Sequence, residues 1–168
     1  MRRIALVTGG SRGIGRACAM KLAEDGCKVW LTYRERAEAA EATVRAIRER
    51  GGDAACVRAD VRDESSVAAA VDTVLRTDLH IDILVNNAGV ASIRLLTDTD
   101  PAEWDRIFDT NVRGTYLMIR AALPGMISRK TGSIVNLSSM WGETGASCEA
   151  AYSASKAAVI GLTKALAQ

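Results

Sequence analysis

The chain has a single histidine, His80, and no pair of cysteines at CxxC spacing: Cys18, Cys27, Cys56 and Cys148 stand apart from one another and from any histidine partner. Neither a zinc site nor a disulfide framework is indicated by that set, which reads as four reduced thiols, buried for the most part. Basic tracts are missing too. The 22 Lys and Arg residues are spread among 20 Asp and Glu, leaving a formal charge of +2, which argues against nucleic acid or an anionic membrane as a partner. No apolar run approaches membrane-spanning length, no signal-peptide pattern follows Met1, and no repeat or low-complexity linker interrupts the chain. The expected compartment is the cytoplasm. With 48% hydrophobic residues in 168, there is enough apolar material for one core, so a single domain over residues 1–168 is expected.

What is present centres on Thr8-Gly9-Gly10-Ser11-Arg12-Gly13-Ile14-Gly15, entered by the apolar run Ile4-Ala5-Leu6-Val7 and left by a helical pattern. Gly9, Gly13 and Gly15 let the backbone turn sharply, approach a bulky anion and pack helix on strand. The free N–H groups at the helix start then face a pyrophosphate, with the positive end of the helix dipole behind them. Taken alone, the same glycines also suit an ordinary tight turn.

Strands and helices alternate along the rest of the chain. Ile14, Cys18 and Leu22 mark the apolar face of the first helix, which stops at Gly26; a second strand covers Val29 to Tyr33. A helix with Ala40, Val44 and Ile47 inward leads to a third strand, Ala54 to Val57, running into Asp60. Another with Val67, Val71, Val74 and Leu75 leads to a fourth, Ile81 to Val85, ending in Asn86-Asn87-Ala88-Gly89. Asp100-Pro101-Ala102-Glu103 opens the next helix as a capping box, expected to run past Trp104, Phe108 and Tyr116 towards Pro124-Gly125. A fifth strand, Ser133 to Leu137, precedes Ser138-Ser139, a loop and a final helix around Tyr152 to Leu166. This alternation predicts an α/β fold, a Rossmann-type doubly wound parallel sheet with ligands at the carboxyl ends of the strands.

The second strand ends where an NAD-binding protein usually places an acid for the ribose 2′-hydroxyl; here Tyr33-Arg34 stands instead. Arg34, with Arg12 in the glycine turn, is placed to form charge-assisted contacts with a 2′-phosphate, although either arginine alone also reads as surface charge. NADP(H) is therefore the expected cofactor. Asp60 is a candidate acceptor for the adenine amino group, and equally a turn cap. Tyr152 and Lys156 are four apart and share a helix face. A tyrosine pKa near ~10 makes a poor proton exchanger at neutral pH, and a neighbouring ammonium favours the phenolate. Ser139 stands thirteen residues before Tyr152, placed to hold a carbonyl oxygen, or else is loop polarity.

Together, Thr8-Gly9-x-x-x-Gly13-x-Gly15, Asn86-Asn87-Ala88-Gly89, Asn111, Ser139 and Tyr152-x-x-x-Lys156 resemble the short-chain dehydrogenase/reductase family, in order and at family spacing. The resemblance implies that Tyr152 is the general acid of carbonyl reduction, that Lys156 lowers its pKa and binds the nicotinamide ribose, and that Ser139 polarises the carbonyl. Asn111 would support a water-linked relay to Lys156. Gly9, Ser11, Arg12, Gly13, Ile14, Gly15, Asp60, Val61, Asn87, Ala88 and Gly89 would cradle the dinucleotide.

Within the family the chain looks most like the bacterial 3-oxoacyl-(acyl-carrier-protein) reductases, which use NADPH in fatty acid synthesis. The loop Ser138-Ser139-Met140-Trp141-Gly142, with Gly145 to Glu149, resembles that of the elongation factor P 5-aminopentanone reductases; Trp141 and Cys148 also read as loop packing.

The family pattern continues through two more strands and a substrate-covering helix that are absent after Gln168. The expectation is therefore a truncated member lacking the C-terminal substrate-binding portion, with the fifth strand at an open edge and its own activity in question. A non-catalytic nucleotide-binding or assembly module is the alternative class. A homo-oligomer is expected, its contacts made by the helices carrying Asn111 and Tyr152. Trp104, Phe108, Leu162 and Leu166 either supply that surface or fill the core.

Overall fold

The computed structural model describes residues 2–168 and contains one parallel sheet of five strands. These are β1 (Ile4–Val7), β2 (Lys28–Tyr33), β3 (Asp53–Arg58), β4 (Ile83–Asn86) and β5 (Ser133–Asn136), in the spatial order β3-β2-β1-β4-β5. Every neighbouring pair is parallel, with Leu6 of β1 level with Trp30 of β2 and Leu84 of β4. The order reverses beside β1, which opens a crevice between the loops after β1 and β4. The sheet is the doubly wound one expected, and β5 lies at one edge among the described residues, with the Val135 side chain exposed.

Helices α1 (Gly13–Glu24) and α2 (Ala37–Glu49) cover one face, burying Ala5, Val7, Val29 and Leu31. On the other face α3 (Glu64–Asp78) and the long helix from Pro101 to Arg129 bury Leu6, Trp30 and Leu84 with Val74 and Met118. The final helix, here α7 (Ala150–Leu166), packs against that long helix.

Three sequence expectations shift. The inward face of α1 is Gly15, Ala19 and Ala23, one residue on from the face expected, and Ile14 is 66% exposed. Close approach of α1 to the sheet selects the smallest side chains for the contact, so Cys18 and Leu22 flank it, only partly buried. Of the four free cysteines only Cys27 is buried; Cys18, Cys56 and Cys148 are half-buried.

The helix opened by Asp100 does not end near Pro124. It comprises α4 (Pro101–Phe108), a π-helical turn (Asp109–Arg113) and α5 (Gly114–Arg129), with Pro124 inside α5 and Lys130 closing it in the left-handed region. Burial of Leu117, Met118, Ala122 and Met126 along one side holds α5 together through the proline. Half of the capping box forms: the Asp100 carboxylate accepts from the Glu103 N–H at 2.7 Å. The Glu103 carboxylate turns to Arg106 instead, at 2.7 and 2.8 Å, and these hydrogen bonds hold its pKa down at about 2. Asp100→Ala is accordingly expected to lower stability by about 1 kcal/mol, read as a shifted urea midpoint at unchanged slope.

A short helix α6 (Trp141–Thr144) in the loop after β5 had no counterpart in the sequence pattern. Trp141 is half-buried in its first position, in keeping with loop packing.

Candidate active site

The glycine turn is latched to the end of β4. The Thr8 hydroxyl accepts from the N–H groups of Asn87 and Ala88, both at 3.0 Å, while the Asn87 amide donates to the carbonyls of Thr8 and Gly9 at 2.9 and 3.2 Å. Gly9 and Gly13 adopt φ of +64° and +56°, which L side chains rarely adopt. A Cβ on Gly15 would fall on Asn87 Nδ2 and the Gly9 carbonyl. Gly15 therefore packs behind the turn and lets α1 begin beneath it.

In front of the latch lies an open cavity of about 490 Å³. It is lined by Gly9, Ser11, Arg12, Gly13 and Ile14 from the turn, Arg34 after β2, Asp60 and Val61 after β3, and Asn87, Ala88 and Gly89 after β4. These are the dinucleotide residues read from the sequence, Gly15, Tyr152 and Lys156 excepted. Backbone N–H groups at a helix start, glycines without side chains and arginines at one end make this a cradle that fits a dinucleotide and its phosphates.

Asn111 and Lys156 lie just behind Gly89 of the cavity wall, although none of Asn111, Ser139, Tyr152 and Lys156 lines the cavity itself. A Cβ on Gly89 would lie 3.3 Å from Asn111 Oδ1 and 3.6 Å from Lys156 Nζ. Lys156 is 6% exposed, donates to the Leu137 carbonyl at 2.7 Å, and stands 5.7 Å from the centre of the Tyr152 ring. Burial pushes its ammonium pKa down. The Ser139 hydroxyl accepts from the Trp141 N–H at 3.2 Å, so it closes the turn after β5. Tyr152 sits one turn from Lys156 in α7, one face presenting both.

Asn111 occupies the π-helical turn. Its amide donates to the Val90 carbonyl and to the Ser155 hydroxyl, each at 2.9 Å, and accepts from the Val90 N–H at 2.8 Å. Thr115 donates to its backbone carbonyl at 2.8 Å. The side chain thus ties the segment after Gly89 to α7 through Ser155, and none of its direct hydrogen bonds goes to Lys156.

Asp60, just after β3, acts as a turn cap. It lines the cavity, while its carboxylate accepts from the Arg62 N–H and from the Arg62 guanidinium, the shortest contact being 2.6 Å. The guanidinium holds the Asp60 pKa down against the opposing effect of burial.

Other residues escaped the sequence reading. Glu35 and Arg36 line the cavity beside Arg34, so a carboxylate does stand near the end of β2, two residues beyond Tyr33. Ser138 donates to the Lys156 carbonyl at 2.8 Å, and Gly142 lies so close to the Lys156 backbone that a Cβ there would come within 2.7 Å of its carbonyl carbon. Both position α7 at Lys156. A serine beside the expected one and a glycine after a tryptophan gave no distinguishing signal.

A family model described as short chain dehydrogenase matches residues 3–168. The 3-oxoacyl-(acyl-carrier-protein) reductase of Staphylococcus aureus (strain Mu50) is 44% identical over 168 residues, all of this chain and 68% of the relative. Cyclopentanol dehydrogenase of a Comamonas species is 42% identical over 165 residues, 98% of this chain and 66% of that protein. The crystal structure of a metagenomic short-chain oxidoreductase in complex with NADP superposes with a TM-score of 0.94 at 41% identity, over 98% of this chain and 74% of that one. With a family match over nearly its whole length and a relative 44% identical along all of it, the chain belongs to the short-chain dehydrogenase family of oxidoreductases.

Proposed function

We propose that the chain is built to reduce a ketone with NADPH, the substrate being a 3-oxoacyl thioester or a similar carbonyl compound, free or on a carrier. The observation that carries the reading is the single cavity running from Arg12 and Arg34 to Gly89, behind which buried Lys156 and Asn111 lie. The relatives named above act on 3-oxoacyl and cyclic alcohol substrates, which supports a carbonyl–alcohol pair as the reacting group.

A dinucleotide held by the glycine turn, Arg34 and Asn87 to Gly89 would supply the hydride for the carbonyl carbon. Everything else falls to the chain. The Tyr152 hydroxyl delivers the proton to the carbonyl oxygen, and the Lys156 ammonium one turn away favours the phenolate left behind. Ser139 accepts from Trp141 and keeps its own hydroxyl hydrogen for the carbonyl oxygen. Asn111 acts as a positioning residue, since it ties Val90 to Ser155 and so sets Gly89 against α7.

A homo-oligomer, localisation in the cytoplasm, and a single nucleotide-binding domain over 1–168 belong to the same proposal. Tyr116 on α5 and Leu166 on α7 are exposed and available for packing between subunits, whereas Leu162 is packed against the core. Trp104 and Phe108, half-buried, stack on each other at 4.7 Å. Among the described residues no helix is long and apolar enough to cross a membrane.

Cofactor choice provides the test. NADPH is expected to bind more tightly than NADH, and Arg34→Ala to weaken NADPH by roughly tenfold or more while leaving NADH almost unchanged, since hydrogen bonds to a charged group contribute about 1.5–3 kcal/mol. Dissociation constants from fluorescence titration decide it; equal values for the two cofactors in the unmutated chain refute the reading.

A further inference from the structure

We infer that Glu35 is a specificity-determining residue: an internal counter-anion that occupies Arg34 and competes with the 2′-phosphate, so that the chain discriminates between NADPH and NADH less than its arginines allow. The inference rests on the proposed use of NADPH.

Glu35 and Arg34 both line the cavity, and Glu35 Oε1 lies 2.6 Å from Arg34 Nη2. The backbone that carries them is held to β3: Ala59 N–H donates to the Tyr33 carbonyl at 2.8 Å, and Arg58 Nε to the Arg34 carbonyl at 3.1 Å. The pair therefore stands at a fixed place on the rim, after β2, where a dinucleotide's adenosine ribose lies in this class of sheet. The nearest alternative acid is already engaged, because the Asp60 carboxylate is held in a fork by Arg62. Glu35 is thus the one acidic side chain in the cavity lining that Arg34 pairs with.

A dianionic 2′-phosphate approaching Arg34 meets a guanidinium with one arm taken and a carboxylate beside it. It must displace that carboxylate, and the two anions repel each other at close range. A ribose 2′-hydroxyl carries no charge and can donate to Glu35 instead. The same side chain therefore opposes one cofactor and tolerates the other. Both side chains are solvent-accessible, 44% for Arg34 and 71% for Glu35. Water screens the pair, so the effect is a bias rather than a block.

The experiment compares adenosine 2′,5′-bisphosphate with adenosine 5′-monophosphate, which differ by the 2′-phosphate alone, by calorimetric titration of the unmutated chain, Glu35→Gln, Arg34→Ala and the double variant. Glu35→Gln is expected to tighten the bisphosphate by about twofold to fivefold, the worth of one exposed ion pair released from Arg34, and to change the monophosphate by less than about twofold, since the glutamine carbonyl still accepts from its 2′-hydroxyl. In the Arg34→Ala background the gain should shrink to less than half.

A Glu35→Gln variant that prefers the bisphosphate no more than the unmutated chain does overturns the inference while the NADPH reading stands. Tightening of both nucleotides together, or an undiminished gain without Arg34, also overturns it, because the effect would then be general pocket charge. Equal affinities for the two nucleotides in the unmutated chain overturn the NADPH reading itself.

Discussion

Tyr152→Phe is expected to lower the rate of ketone reduction by roughly a hundredfold to ten-thousandfold while NADPH binds almost as before, because the change removes one hydroxyl and leaves the ring. The ring stays where it is because its helix is fixed from several sides. Ser138 holds the Lys156 carbonyl, Asn111 holds Ser155, and the Ser155 hydroxyl donates back to the Tyr152 carbonyl at 2.7 Å. None of these bonds uses the phenol. The loss should therefore appear in kcat, with little change in the cofactor dissociation constant, and the far-ultraviolet spectrum should be unaltered. Initial rates of NADPH oxidation with a 3-oxoacyl thioester, set beside cofactor titration, separate the two quantities. A variant turning over within about tenfold of the unmutated chain would mean that a different group delivers the proton. Loss of cofactor binding in parallel with rate would mean that the phenol is structural.

The residues that carry this argument differed in how openly the sequence displayed them. Sheet type and the edge position of β5 were legible because alternation of apolar strands with helices leaves few topologies, and the glycine turn fixed where the crevice opens. Periodicity misplaced the inward face of α1, since it ranks residues by hydrophobicity, whereas a helix pressed onto a sheet selects Gly15, Ala19 and Ala23 for size. It also ended the long helix at Pro124, where local propensity gives way to tertiary packing by Met118, Ala122 and Met126.

Position in the chain located Asn111 but not its partners. The π-helical turn that aims it at Val90 and Ser155 has no sequence signature, and Ser155 lies 44 residues away. Glu35 was missed for a simpler reason. The usual place for the acid is the last residue of β2 or its successor, while the structure brings the next two side chains, Glu35 and Arg36, into the same cavity.

Gly15→Ala is expected to weaken NADPH binding by about a hundredfold or more and to lower stability by about 1–3 kcal/mol, the usual cost of forcing a methyl group into a packed site. The added carbon would fall on Asn87 Nδ2 and on the Gly9 carbonyl, which are themselves hydrogen-bonded to each other at 3.2 Å. Either α1 must retreat from the sheet or the latch between the turn and β4 must open. Both movements displace the N–H groups at the helix start that would face the phosphates. Gly13→Ala serves as the comparison. A Cβ there meets nothing within 4 Å, so its only penalty is the positive φ of +56°, a strain of roughly 1–2 kcal/mol that leaves the Asn87 latch intact. The two variants should thus lose comparable stability in urea unfolding yet differ at least several-fold in NADPH affinity, with Gly15→Ala the weaker binder. Equal affinities in the two would show that backbone strain, and not the close approach of α1 to Asn87, governs the phosphate cradle.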